Sequence, residues 1–388
     1  MSTMTQTRKH LLYLMACALQ GTSAQEEILA DADLKQLLIM AKKHSVSSMV
    51  CMALEKTAVF ANADEAAKKQ WLEVKNKAVR KNMLLDAERK VILHELEIQG
   101  IWYMPLKGSI LKDWYPKPGM REMADNDILF DASKRKEVKA IFQGRGYTVK
   151  GYNKSNHDEY EKPPIYNFEM HVELYHKIYD TFNEKYADVK QRLIPDAEVP
   201  YRFHFTPEDF YVFVIAHAYK HYSRSGTGIR TLADIYVMNQ KLGGTLNWEY
   251  VDSELRGLGI FSYERESREL AQKLFGIAEL PTKANLSETE QQMLAYYLGA
   301  STYGTIENRT LNKMRKLQPD GGAITAHTKR KYLLSRIFPG REWCEAYAPT
   351  VYKYPVLLPF FWVWRLAVKG VKRRDIAKQE LEAIKRER

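Results

Sequence analysis

Pro105-Leu106-Lys107-Gly108-Ser109, then Arg121, then Asp125-Asn126-Asp127-Ile128-Leu129-Phe130 is the stretch from which the rest of this chain is read. Residues 126–130 are a strand candidate, and on a strand residues two apart share a face. Asp125 and Asp127 then project side by side while Asn126 points the other way. Adjacent carboxylates repel, so a sheet that holds them together usually has a cation between them. Carboxylates with open water positions suit Mg²⁺, the ion that accompanies phosphate substrates. Asn126 stands where a buried apolar residue is usual, which predicts looser packing of this strand.

Upstream, Ile101-Trp102-Tyr103-Met104 is a short apolar run between Gly100 and Pro105 and reads as a buried strand. Gly108 and Ser109 therefore fall at a strand-to-helix turn. Glycine lets the backbone approach a phosphate closely, and the exposed amides of a following helix favour the anion. Ser109 adds a hydroxyl, and Lys107 or Arg121 is placed to neutralise triphosphate charge. A third carboxylate is expected from a neighbouring strand. Within His171-Val172-Glu173-Leu174-Tyr175, Glu173 alternates with His171 and Tyr175, with Glu161 and Glu169 as nearby competitors. In that place it serves as the base for an attacking hydroxyl or as a ligand for a second metal.

Working outward, Leu34, Leu37, Leu38, Met40 and Ala41 recur at roughly helical spacing after Asp33, a predicted N-cap, and residues 66–99 read as one charge-laced helix. After the 126–130 strand, Ser133 is the predicted cap of a helix to Gln143. Residues 147–152, 160–162 and 166–175 read as extended. Helices resume with Thr206 as N-cap and Pro207 in the first turn, and again from Thr227 to Gln240. Residues 317–328, around Pro-Asp-Gly-Gly, read as a linker. The organisation predicted is a helical segment (1–99), an α+β core (100–200), a helical domain (201–316) and a basic, aromatic helical tail (317–388).

Together these motifs carry a resemblance. Leu106-Lys107-Gly108, Arg121, Asp125-x-Asp127 and Glu173 before Leu174-Tyr175-His176 resemble the nucleotidyltransferase superfamily of DNA polymerase β type. Within it they look like a bacterial group of uncharacterised nucleotidyltransferases. The resemblance covers residues 100–240 and implies a small mixed sheet as the nucleotidyltransferase core, flanked by N-terminal helices and a C-terminal helical domain. It implies Asp125, Asp127 and Glu173 as catalytic metal ligands for Mg²⁺, in a two-metal site, and Gly108 and Ser109 as holders of the nucleotide phosphates. The implied reaction is attack of an acceptor hydroxyl on the α-phosphate of a nucleoside triphosphate with release of pyrophosphate, the acceptor being a small molecule, a protein or RNA. The alternative is a catalytically silent protein of the same fold that binds a nucleotide or a partner.

His217 and His221 stand one helical turn apart, a zinc-compatible spacing without the glutamate of His-Glu-x-x-His. They are expected to line the cleft between sheet and helical domain, or to be partly buried. Arg230 and Asp234, four apart, form either a structural pair on one helix face or, by the resemblance, a nucleotide- or acceptor-facing pair.

Charge localises the remaining possibilities. The net charge is +11, and residues 303–388 hold 19 Lys+Arg against 8 Asp+Glu, so the first 302 residues balance 40 against 40. A general nucleic-acid surface is therefore not indicated, and a small or protein acceptor is favoured over RNA. Residues 354–364 are apolar and aromatic, and four cations follow between Lys369 and Arg374. This suits either contact with an anionic membrane surface or a terminal helix packed on the protein with its cations in water. Cys17, Cys51 and Cys344 show no paired framework. That favours a reducing, cytoplasmic compartment, and the short apolar stretch 11–19 lacks a following cleavage-site pattern.

Overall fold

The computed structural model describes residues 5–176, 180–280, 286–318, 322–372 and 374–386. They fall into two compact units, Met1–Ala218 with Gly228–Leu298 and Tyr219–Thr227 with Gly299–Arg388.

The first unit opens on helices Gln6–Gln20, Leu34–Lys43 and Ser47–Leu54. The apolar stretch from Leu11 to Leu19 is buried along its whole length, as befits a helix apolar on every side. Asp33 caps the second helix as predicted, its carboxylate accepting from the amides of Lys35 and Gln36 at 3.0 Å. The long helix Glu65–Ile98 starts on Asp64, whose carboxylate accepts from the Ala67 amide at 2.8 Å.

A five-stranded sheet follows: β1 (Tyr103–Pro105), β2 (Asn126–Phe130), β3 (Thr148–Val149), β4 (His157–Lys162) and β5 (Tyr166–His171). Their order is β1-β2-β5-β4-β3. Only β2 and β5 run parallel; the other neighbours are antiparallel, so this is the small mixed sheet of an α+β protein. β2 occupies the expected residues. β5 stops at His171, short of the expected Tyr175, because the Val172 and Glu173 amides turn to the carbonyl of Asn156. The helix after β2, Arg135–Gly144, is entered through a 3₁₀ turn capped by Asp131 rather than by Ser133. The Asp131 side chain accepts from both the amide and the hydroxyl of Ser133, so Ser133 is itself a donor to the cap.

Strand alternation sorts the side chains by face. Ile128, Phe130, Tyr160, Phe168 and Met170 pack against helices Glu65–Ile98 and Arg135–Gly144, with Phe142 stacked on Tyr160 at 4.2 Å. Asn126 shares this face and is fully buried, yet the predicted looseness is absent. Its amide nitrogen donates to the Leu85 carbonyl at 3.1 Å and its oxygen accepts from Arg89 at 2.9 Å. The polar side chain thus ties an inner strand to the long helix. The opposite face is left for Asp127, His157, Glu169 and His171.

Helices Pro207–Ser225, Arg230–Leu242, Trp248–Gly257, Phe261–Phe275 and Glu288–Gly299 complete the run. Thr206 caps the first, accepting from the Asp209 amide at 3.0 Å. The second begins at Arg230, three residues after the predicted Thr227.

In the second unit, Met314, Tyr332 and Ile384 form a small core. Glu380 accepts from Arg336 through both carboxylate oxygens, at 2.8 and 3.1 Å. Of the predicted linker, residues 319–321 lie outside the described residues, and its end from Ala326 belongs to helix Ala326–Ile337. The side chains of residues 368–373 in the basic cluster also lie outside them. Among the described residues no helix is long and apolar enough to cross a membrane.

Candidate active site

The chain leaves β1 and turns at Lys107, whose φ of 39° and ψ of −105° are rare for a side-chain-bearing residue. This turn aims the ammonium at Asp127 Oδ1, 3.4 Å away, and at His217 Nε2, 3.1 Å away. An ammonium only donates, so His217 accepts at Nε2. His221 belongs to the second compact unit.

Gly108 begins a single helical turn, Gly108–Leu111. A Cβ there would stand 2.6 Å from Arg121 Nη1 and 3.1 Å from Met123 Cε, so glycine makes room for a guanidinium. We expect Gly108→Ala to cost about 1–3 kcal/mol through overpacking, read as a lowered urea midpoint; an unchanged midpoint would show that Arg121 retreats freely. Ser109 is buried, and its hydroxyl donates back to the Leu106 carbonyl at 2.8 Å, closing the turn.

Arg121 is buried and does not face open space. Its Nε and Nη2 donate to the two oxygens of Asp234 at 2.7 and 3.0 Å, and Tyr115 donates to Asp234 Oδ1 at 2.7 Å. Planar guanidinium against carboxylate, closed off from water, is a structural clamp. The expected Arg230–Asp234 pair accordingly does not form among the described residues. Arg230 instead donates to the Glu122 carbonyl at 3.0 Å, and its positive charge acts on Asp125.

The approach to the acid pair is laced to neighbouring helices. Asn82 donates to the Arg121 carbonyl at 3.0 Å and Lys81 to the Ala124 carbonyl at 2.8 Å. The Glu122 carboxylate accepts from the Ser47 hydroxyl and the Ser48 amide, both at 3.0 Å. Asp125 and Asp127 therefore sit on a held backbone rather than a solvated turn.

Their electrostatics diverge. Burial, then the charges of Asp127 and Glu169, push Asp125 up to about 7, against the pull of Lys107 and Arg230. Burial also opposes ionisation of Asp127, but the Lys107 ammonium and the His171 hydrogen bond override it and hold the carboxyl well below its usual range. His171 Nε2 lies 3.0 Å from Asp127 Oδ1 and donates to it. Burial disfavours the imidazolium of His171, yet its bonds to Asp127 and Glu169 leave its pKa raised. Burial raises Glu169, but the His171 hydrogen bond together with the charges of His157 and His171 leaves its pKa lowered. His157 is lowered, by burial and then by the charge of His171.

The third carboxylate at this face is Glu169, where Glu173 was expected. In the parallel ladder Asp127 is the register partner of Glu169, and Leu129 of His171. Continued, that register puts Glu173 level with Asp131, four residues or about 13 Å from Asp127. Glu173 lies past the strand end, its carbonyl accepting from Asn156 Nδ2 at 3.0 Å. Glu161 lies on β4 at the level of Asn167, two residues further along the sheet from Glu169. A cue for Glu169 exists in the sequence: Phe168 and Met170 alternate with Glu169 and His171, the pattern of a half-buried strand.

His157, Glu169 and His171 offer ligand atoms that all lie within 4.8 Å of one another. His157 Nε2 and His171 Nε2 stand 3.8 and 3.6 Å from Glu169 Oε2. This mixed nitrogen and oxygen set borders the acid pair and would suit a divalent cation once His171 gives up the Nε2 proton that it donates to Asp127.

A small mixed sheet presenting clustered carboxylates on one face, beside a Lys-Gly-Ser turn, has the build of a nucleotidyltransferase core. Residues 30–276 match the family described as uncharacterised nucleotidyltransferase, and the chain belongs to it. Nucleotidyl transfer is the general chemistry of that family. No curated protein and no solved structure matches the chain.

Proposed function

We propose that the protein transfers a nucleoside monophosphate from a nucleoside triphosphate to a hydroxyl acceptor, with Mg²⁺ as cofactor and pyrophosphate as leaving group. The observation that supports this most is the register of Asp127 with Glu169, which adds a third carboxylate to the acid pair beside Lys107. The donor set fits the ion: hard carboxylate oxygens suit Mg²⁺. Burial and then repulsion by Asp127 and Glu169 lift Asp125, and the repulsion is what a divalent cation relieves. Asp125, Asp127 and Glu169 would hold the metal, which when bound offsets charge on the reacting phosphate and on the departing pyrophosphate.

The chain's own groups prepare that site. Lys107 keeps a positive charge at the edge of the carboxylates, next to the turn where the phosphates approach. His171 orients Asp127 through its Nε2 proton and links it to Glu169. Arg121 and Asp234 brace the Gly108 turn from behind. Because the first 302 residues are charge-balanced, a small-molecule or protein hydroxyl suits the acceptor better than an RNA end.

Isothermal titration of each nucleoside triphosphate with and without Mg²⁺, on the wild type and on Asp125→Ala/Asp127→Ala, tests this reading. Magnesium-dependent heat in the wild type that disappears in the double variant is the expected result. Equal binding by both proteins, or none by a folded wild type, would sink the assignment.

A further inference from the structure

The second compact unit carries a helix that faces solvent with the wrong side for water. Leu358–Lys372 turns Phe361, Trp362 and Arg365 inward: Trp362 meets Phe338 edge-on at 5.1 Å, and the Arg365 guanidinium lies 4.6 Å over the Trp343 ring. Outward it presents Phe360, Val363, Trp364 and Leu366, at 73, 69, 51 and 50% exposure, with Val356 at 76% just before. Positions 360, 363, 364 and 367 recur at the spacing of one helix face. The exposed face is thus apolar while its described charge is folded in, an inversion of the usual surface helix. Exposed apolar faces of this kind mark a surface that something covers.

We propose that this face lies in an anionic membrane surface, with Phe360, Val363 and Trp364 entering the boundary between headgroups and acyl chains. Three observations choose lipid. Fifteen helical residues reach about 22 Å, short of the roughly 30 Å hydrocarbon core, so the helix lies in the interface instead of spanning it. The helix sequence ends with Lys369 and Lys372, and Arg373 and Arg374 follow it, four cations in six residues. The whole basic excess of the protein lies in residues 303–388, 19 Lys+Arg against 8 Asp+Glu. An apolar helix face with an aromatic anchor and a neighbouring basic cluster supplies both terms of interfacial binding, burial and attraction to acidic lipid. Nothing in this inference depends on nucleotidyl transfer.

Co-sedimentation of the full chain with vesicles tests it, comparing phosphatidylcholine alone with phosphatidylcholine containing phosphatidylglycerol. Binding is expected to the acidic vesicles only, and to weaken at high salt. Phe360→Ser/Trp364→Ser should lower the partition coefficient at least tenfold, and Lys369→Gln/Lys372→Gln about fivefold per lysine neutralised. Because the serines replace exposed side chains, circular dichroism should match the wild type. Should that variant not fold, quenching of wild-type tryptophan emission by brominated acidic lipids gives the same answer without a substitution. Absence of binding to acidic vesicles, or full binding by the folded double serine variant, overturns the proposal. So does a lipid-free dimer dissolved by Phe360→Ser/Trp364→Ser, which would make a second copy of the chain the cover.

Discussion

Asp234→Ala is expected to lower folding stability by about 3–5 kcal/mol, the scale for breaking a buried ion pair from one side. Arg121 is only 8% exposed, and its guanidinium meets Asp234 through two hydrogen bonds. Burial alone would depress the arginine pKa, but Asp234 more than offsets it and keeps the cation favoured. Without the carboxylate, the guanidinium and the Tyr115 hydroxyl lose their acceptor in a largely buried place. Urea unfolding of Asp234→Ala, Arg121→Leu and the double Arg121→Leu/Asp234→Ala forms the test. The double variant should be far less destabilised than the sum of the singles, since it leaves no unpaired charge. A loss below about 1 kcal/mol in Asp234→Ala would show that the pair is reached by water and contributes as a surface bridge does.

Glu169→Gln is expected to weaken magnesium-dependent nucleoside triphosphate binding by at least about 100-fold, while Glu173→Gln leaves it unchanged. Groups that merely orient a metal ligand are worth about 10–100-fold, so a direct oxygen ligand should exceed that range. The substitution keeps size and removes charge, so a stability change does not imitate the effect. Glu169 stands beside Asp127 in the ladder and acts electrostatically on Asp125. Glu173 lies beyond the end of β5. Calorimetric titration with Mg²⁺ present and absent separates the two. The reverse outcome, with Glu173→Gln inactive and Glu169→Gln normal, would return the third carboxylate to Glu173 and require β5 to pair in another register.

The acid pair was legible because strand alternation is local: Asp125 and Asp127 two apart, with Ile128 and Phe130 behind them, need no knowledge of the partner strand. The caps Asp33 and Thr206 were legible for the same reason, since a cap bonds amides two or three residues ahead. Asn126 was misjudged because its worth lies in Leu85 and Arg89, some forty residues away. Arg121 reads from the sequence as one of two cations open to phosphate, and only the fold shows its bonds to a carboxylate of the distant helix Arg230–Leu242. In both cases a buried polar group looked either costly or available until its partner came into view.

By itself, then, the sequence determined the class of the fold, the α+β core between helical segments, and the acid pair with its Lys-Gly-Ser turn. It also determined where the positive charge lies. The tertiary structure alone decided which glutamate lies beside the pair, which arginine clamps and which acts on Asp125 by its charge, and which side of helix Leu358–Lys372 meets solvent. The physical reason is the range of the interactions. Periodicity, capping and turn geometry act over a few residues and are written in order along the chain. Strand direction, long-range ion pairing and burial depend on segments that only folding brings together, and one choice of parallel register moved the third carboxylate by four residues.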